Sequence, residues 1–256
     1  MFNKIISAIL FIKIYLQGCR TKTCVAKTET FAPVNQLKQK IMKKVKVYNL
    51  IILDESGSMS CIHKPAVDGL NETLQSIQSA QEKHGELQEH FVTMIFFNSN
   101  GIRTIIEDKP INQVEQLKMN DFVPSACTPL YDAMGITLSK LRCKLSESEK
   151  SQVLVTIITD GCENASKEYS GKMIKNLVRD LKSSGWVFAY IGANQDVDAV
   201  AESIAIENKM CFHADEEGSK EMSQKVSESR TRFYEKVSAS IFDESVDLQE
   251  NFFEEK

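Results

Sequence analysis

With 256 residues and 42% hydrophobic content, the chain carries enough apolar material for one ordinary globular domain. Its formal net charge is −4, yet residues 1–44 hold nine Lys/Arg against a single acid, Glu29, a local +8 that leaves −12 on the remainder. A body that acidic argues against nucleic-acid binding by phosphate neutralisation and favours cations.

The basic head comes first. Lys4, the apolar stretch 5–16 and then Leu16-Gln17-Gly18-Cys19 resemble a bacterial lipoprotein signal ending on an acylated cysteine, too short to span a membrane as a helix. Lys13 interrupts that stretch, and Met42-Lys43-Lys44 offers a second place for the protein to begin. Both readings make residues 1–44 a leader, but one anchors the protein at a membrane through Cys19 and the other leaves it in the cytoplasm. Cysteine usage favours the cytoplasm, because seven cysteines without a Cys-x-x-Cys pair suggest neither a zinc ribbon nor a disulfide scaffold.

From Val45 onward, short apolar runs alternate with amphipathic stretches, the pattern of a doubly wound α/β domain. Strands are predicted over 45–53, 91–97, 102–106, 153–159, 186–191 and 210–212, dense enough in Val, Ile and Phe to be covered on both faces of a mainly parallel sheet. Asn98-Ser99-Asn100-Gly101 lies between the second and third strands and reads as a hairpin, which makes one edge strand antiparallel. Helices are predicted over 67–83, 130–145, 167–183, 197–206 and 220–237; Leu70, Leu74 and Ile77 keep the helical spacing in the first. Gly85 and Gly185 stand where helices end, and Trp186, the single tryptophan, is expected in the core. The tail, 239–256, has six acids against Lys256 and is expected to be disordered or loosely docked, with Phe242, Phe252 and Phe253 punctuating it.

Three segments carry the chemistry. Asp54-Glu55-Ser56-Gly57-Ser58 follows the first strand and delivers a carboxylate and two hydroxyls, hard oxygen donors of the kind Mg²⁺ or Mn²⁺ takes. Pro124-Ser125-Ala126-Cys127-Thr128-Pro129-Leu130-Tyr131-Asp132 opens a helix, and Thr159-Asp160-Gly161 closes the fourth strand. In an open α/β sheet, ligands sit beyond the carboxyl ends of the strands, where all three segments fall. Each alone is also ordinary turn or cap chemistry: Thr128-Pro129 suits a helix start and Asp160-Gly161 a turn. The ordered set is what points to one cation site.

Asp54-x-Ser56-x-Ser58, Thr128 and Asp160 together resemble the metal-ion-dependent adhesion site of von Willebrand factor type A domains. The likeness covers residues 45–238 and is nearest to bacterial and phage stand-alone members, which share phrases similar to Thr128-Pro129-Leu130-Tyr131-Asp132-Ala133, Thr159-Asp160-Gly161-x-Glu163-Asn164-Ala165-Ser166 and Gly192-Ala193-Asn194-Gln195-Asp196. The resemblance implies a Rossmann-like sheet with helices on both faces and one Mg²⁺ or Mn²⁺ held by Asp54, Ser56, Ser58, Thr128 and Asp160. It further implies capture of an Asp or Glu of a partner protein, since two carboxylates balance a divalent ion and leave it electrophilic. One departure is visible, Ala126-Cys127 in place of the glycine that usually precedes the threonine.

Other readings stay open. A serine hydrolase would want glycines flanking Ser56, and Gly171-Lys172-Met173 is no phosphate loop. A metal-assisted phosphoester hydrolase, or a scaffold in which the metal only pins loops, are the alternatives; of the histidines only His63 falls near the first loop. Cys61, Cys127 and Cys162 place a thiol in every metal loop, so oxidation or Zn²⁺ would switch the site off if the sulfurs met. Glu163, Asn164, Asn194 and Asp196 are expected at its rim.

Overall fold

The computed structural model describes residues 44–145, 151–193, 197–249 and 252–253, all within the compact unit Lys43–Lys256. Most of the predicted leader, with Cys19, lies outside the described residues, as do Asn194, Gln195 and Asp196. Six strands form one sheet: β1 (Val45–Asp54), β2 (Gln88–Asn98), β3 (Gly101–Pro110), β4 (Ser151–Thr159), β5 (Val187–Ala193) and β6 (Lys209–Phe212). Their order is β3-β2-β1-β4-β5-β6, parallel throughout except for β3, the antiparallel edge strand that the Asn98–Gly101 turn anticipates. Among the described residues five helices flank it: α1 (His63–His84), α2 (Leu130–Leu145), α3 (Gly171–Ser183), α4 (Val197–Ser203) and α5 (Glu216–Ser240).

β1 is the centre of the sheet and its side chains feed two cores. Val47, Ile51 and Leu53 pack with Val67, Leu70, Leu74 and Ile77 of α1 and with Val226, Phe233 and Val237 of α5. Leu50 and Ile52 point the other way, against Leu130, Met134 and Leu138 of α2 and Ile174, Val178 and Leu181 of α3. Period-two alternation in a strand covered on both sides accounts for the unbroken apolar run. Each fully buried Leu or Ile contributes about 2 kcal/mol. Trp186 is buried in the second core, beside Phe188.

The element boundaries differ from the expected ones for local reasons. A 3₁₀ turn, Gly57–Ile62, leads into α1, which therefore begins four residues early, at His63. α3 begins at Gly171 rather than 167. The Asp132 carboxylate accepts the backbone N–H groups of Lys167, Glu168 and Tyr169, which holds them out of a helix, and Ser170 caps the first turn. α4 stops at Ser203, three residues short of the expected end, where Ala205 takes a left-handed φ of 60°. In the tail, Phe252 and Phe253 are buried in the first core, with Phe252 edge-on to Phe233 and its N–H donated to Asn208 Oδ1.

One feature of the first core has no counterpart in the sequence reading. Arg230 of α5 is wholly buried and reaches the sheet, donating to Thr156 Oγ1 (2.6 Å) and to Asn49 Oδ1 (3.3 Å), while Tyr234 OH donates to the same Asn49 oxygen (2.7 Å). These partners are neutral, and the Arg230 Nε–H has none among the described residues. His90 lies buried nearby, its ring edge-on to Tyr234 with both nitrogens unpartnered. Among the described residues no helix is long and apolar enough to cross a membrane.

Candidate metal centre

β1 and β4 are adjacent parallel strands with Leu53 opposite Ile158, so Asp54 comes level with Thr159 and Asp160 follows one residue past the end of β4. The Asp54 side chain is fully buried: Oδ1 accepts the Ser56 N–H (2.7 Å) and Oδ2 accepts the Thr159 hydroxyl (2.6 Å). Ser56 Oγ lies 3.1 Å from Ser58 Oγ, which donates to Asp160 Oδ1 at 2.7 Å. Thr128 arrives from a third loop. A methyl group on Gly161 would sit 3.1 Å from Thr128 Oγ1, 3.7 Å from Ser58 Oγ and 3.8 Å from Asp54 Oδ2. The structure thus brings all five sequence-selected side chains to one place, and glycine at 161 keeps that place open.

These donors fit a hard divalent cation. Two carboxylates and three hydroxyls supply only oxygen, the set Mg²⁺ and Mn²⁺ take. Among the described residues no group of three or more His, Cys, Asp or Glu is placed to hold a metal, so the hydroxyls are indispensable to any such site. Electrostatics points the same way. Burial pushes the Asp54 carboxyl up to about 6 against the hydrogen bonds from Thr159 and Ser56, and the neighbouring Asp160 adds to the rise. Burial raises Asp160 as well. Neither forms an ion pair among the described residues. Two adjacent carboxylates that lack a cation of their own are what a bound cation relieves.

Residues that the sequence did not assign hold the three loops. Glu55, between the two motif positions, is buried and ion-paired to Arg103 of β3; its Oε1 also accepts the Val123 N–H (2.7 Å). The Glu55 carbonyl accepts from Ser125 N–H and Asn98 Nδ2, so one residue ties the first loop to the second. Glu163 and Asn164, expected at the rim, brace the loops beside the donors. Asn164 Oδ1 accepts the Thr128 N–H, and the Thr128 carbonyl accepts the Asn164 N–H. The Glu163 carboxylate takes the N–H groups of Tyr131, Ala165 and Ser166. Burial alone would raise the Asp132 carboxyl, but three backbone N–H groups hold it below its usual value. The signal for these residues was acid followed at close range by small polar residues, which also describes any turn.

Ala126, at the position of the missing glycine, has a φ of 64°, the left-handed region that costs an L-residue about 1 kcal/mol. Its carbonyl accepts the Gly57 N–H (3.0 Å), so the strained residue is itself a link between loops. Cys61, Cys127 and Cys162 are exposed around the mouth, and the Cys61 thiol donates to the Ser58 carbonyl. His63 hydrogen-bonds the Phe122 carbonyl through Nε2 and stacks on the Phe122 ring, a packing role.

No family model matches this sequence, and no curated protein matches it either. Solved structures do share its fold. The chain is similar to the pilus adhesin SpaC from Lactobacillus rhamnosus GG in its open conformation, with a TM-score of 0.55 and 13% identity over 75% of this chain and 31% of that one. It is also similar to the PilB minor pilin from Streptococcus sanguinis, with a TM-score of 0.52 and 12% identity over 75% of this chain and 62% of that one. The manganese-loaded TRAP protein of Plasmodium vivax overlaps less closely, with a TM-score of 0.48 and 17% identity over 68% and 69% of the two chains. At such identities the likeness is one of fold, and this chain spans less than two thirds of the adhesin and the pilin.

Proposed function

We propose that residues 45–238 form a von Willebrand factor type A-like binding domain that holds one Mg²⁺ or Mn²⁺ through Asp54, Ser56, Ser58, Thr128 and Asp160. The ion serves to capture an aspartate or glutamate of a partner protein. The observation that carries this reading is the meeting of five oxygen side chains from three loops around a gap guarded by Gly161, with two carboxylates that no cation among the described residues neutralises. A bound divalent ion supplies a directional, electrophilic site for a carboxylate. The chain's residues do the rest: Asp54 and Asp160 balance the ion's charge, the three hydroxyls add none, and the Glu55 and Asn164 braces hold the loops in register.

Binding rather than hydrolysis is supported by the surroundings. His63, the histidine nearest the first loop in sequence, is held by the Phe122 carbonyl through Nε2 and stacked on the Phe122 ring, and among the described residues it makes no hydrogen bond to any of the five oxygen donors. The shared fold of an adhesin and a pilin speaks only for architecture. In this reading the leader, 1–44, lies outside the binding domain, whereas the tail, 239–256, returns Phe252 and Phe253 to its first core, and the protein is cytoplasmic unless Cys19 is acylated, a point the intact mass of the native product decides.

The test is a metal titration of the full chain followed by a pull-down from host extract with and without EDTA. Calorimetry should show one Mg²⁺ or Mn²⁺ per chain, and Asp54→Asn should weaken it by about a hundredfold or more. Thr128→Ala should reduce partner capture more than it reduces stability. If Mg²⁺ raises the melting temperature while no protein is retained in a metal-dependent way, the ion is a structural pin and the capture role is lost.

A further inference from the structure

A second cleft opens between the first turns of α1 and α5. Its volume is about 460 Å³, within the roughly 300–1,000 Å³ of small-molecule sites. The buried part of its lining is small: Gly69 of α1, with Ser219 and Ser223 of α5. A methyl group on Gly69 would lie 2.5 Å from Ser223 Oγ, so the bare backbone of α1 is what lets the two helices close against each other here. Ser219 is 3% exposed, and its hydroxyl has no hydrogen-bond partner among the described residues. A buried hydroxyl is nearly always paired, so one left unpaired in the lining of a cleft is met when a ligand supplies the missing partner.

The walls carry both signs. Lys64 and Asp68 of α1 pair with one another at 2.9 Å. Asp68 above all, and Glu216 of the opposite wall more weakly, hold the Lys64 ammonium above its ordinary value, so an acid of α5 bears on a base of α1 across the opening. Glu72 of α1 and Glu216 and Lys220 of α5 form no ion pair among the described residues. A simple anion in this cleft would meet Glu72 and Glu216, and a simple cation would meet Lys220 and Lys64. A ligand that holds an ammonium and a carboxylate a few bonds apart answers both signs. Either group can hydrogen-bond the Ser219 hydroxyl, which both donates and accepts. Cys61 lines the side toward the metal loop, its thiol donating to the Ser58 carbonyl, but none of the five oxygen donors lines the cleft.

From these features we infer that the α1–α5 cleft is a second ligand site, separate from the metal centre, and that it takes a zwitterionic α-amino acid. The ligand's ammonium lies toward Glu72 and Glu216, its carboxylate toward Lys220, and one of the two pairs the Ser219 hydroxyl. Calorimetry and thermal melts of the full chain with each of the standard unmodified amino acids test this, run in EDTA so that no carboxylate is held by a metal. At least one amino acid should bind with a stoichiometry of one and raise the melting temperature. Its N-acetyl and carboxamide derivatives, each lacking one of the two charges, should bind at least about tenfold more weakly. Ser219→Ala should weaken binding by about tenfold, yet leave the melting temperature of the unliganded chain unchanged or higher, since it deletes an unpaired buried hydroxyl. Lys220→Gln changes an exposed side chain and should weaken binding without disturbing the fold. Failure of every amino acid to bind, derivatives that bind as well as their parent, or either variant binding as the wild type does would overturn the inference, and each result leaves the metal-capture reading where it stood.

Discussion

The carboxylates at the edge of the sheet and the guanidinium of Arg230 in its interior are alike in one respect. Neither has an opposite charge beside it among the described residues. The protein treats them in contrary ways. Asp54 and Asp160 are buried too, but beneath exposed Ser58 and Cys162, in loops where Gly161 leaves space beside them. Arg230 is sealed between α5 and the sheet and met only by the neutral oxygens of Asn49, Thr156 and Tyr234. An uncompensated charge at a mouth is available to a ligand, while one inside commits helix and strands to a single register. The first region is therefore expected to respond to metal and the second to damage of the fold.

Breaking the interior charge should have the largest effect on stability. Arg230→Ala leaves a cavity and takes the donor from Thr156 Oγ1, while Asn49 Oδ1 keeps Tyr234, and should cost about 3 kcal/mol in urea unfolding with or without metal. Arg230→Met, which fills the space without charge, should cost less. A loss that grows when Mg²⁺ is added would blur the distinction between the two regions.

Acid titration sharpens the contrast. Asp54, raised from 3.8 to about 6, holds its proton more tightly when folded, so its contribution to stability is full below pH 3.8 and disappears as pH rises through 6. His90, lowered from 6.5 to about 4 first by burial and then by the positive charges of His84 and Arg230, works oppositely: its contribution is full above pH 6.5 and disappears as pH falls through 4. Each is worth about 3 kcal/mol, and in EDTA the two offset one another between those limits. Asp54→Asn should expose an acid-side loss of that size in urea midpoints, whereas His90→Phe should expose the reverse slope.

Smaller effects probe the braces. A methyl group on Gly135 would lie 2.3 Å from the Tyr169 ring, so Gly135→Ala should displace the 161–170 loop, cost about 2 kcal/mol and weaken Mg²⁺ binding in the same calorimetric titration. Ala126→Gly should relieve the left-handed backbone and add roughly 0.5–1 kcal/mol to thermal stability.

The sequence made the sheet legible because its strands are dense in β-branched and aromatic residues and end in turn chemistry, as in Val153–Thr159 before Asp160-Gly161. The antiparallel edge followed from four turn residues. What stayed hidden depends on contacts between distant residues. Arg230 sits in a polar helix and reads as solvent-facing; only the approach of Asn49 and Thr156 reveals it as interior. The start of α3 is set by Asp132, 35 residues from the Lys167 amide it captures. Phe252 and Phe253 follow an acidic stretch, and their burial depends on Phe233. At the candidate centre the donor residues were legible from their spacing, but Glu55 occupies a position the motif leaves undefined, and its pairing with Arg103 cannot be seen in one dimension.

The placing of Asp54 at the end of β1 and of Asp160 one residue past the end of β4 has a consequence for altering ion preference. The spacing of the strand ends that carry them is inherited from the sheet ladder, about 4.8 Å from strand to strand, and holds as long as β1 pairs with β4. Thr128 belongs to no strand. A designer wishing to favour a larger or smaller ionic radius would therefore leave both aspartates alone and lengthen, shorten or tilt the segment 124–128, the one adjustable jaw of a vice whose other two are fixed.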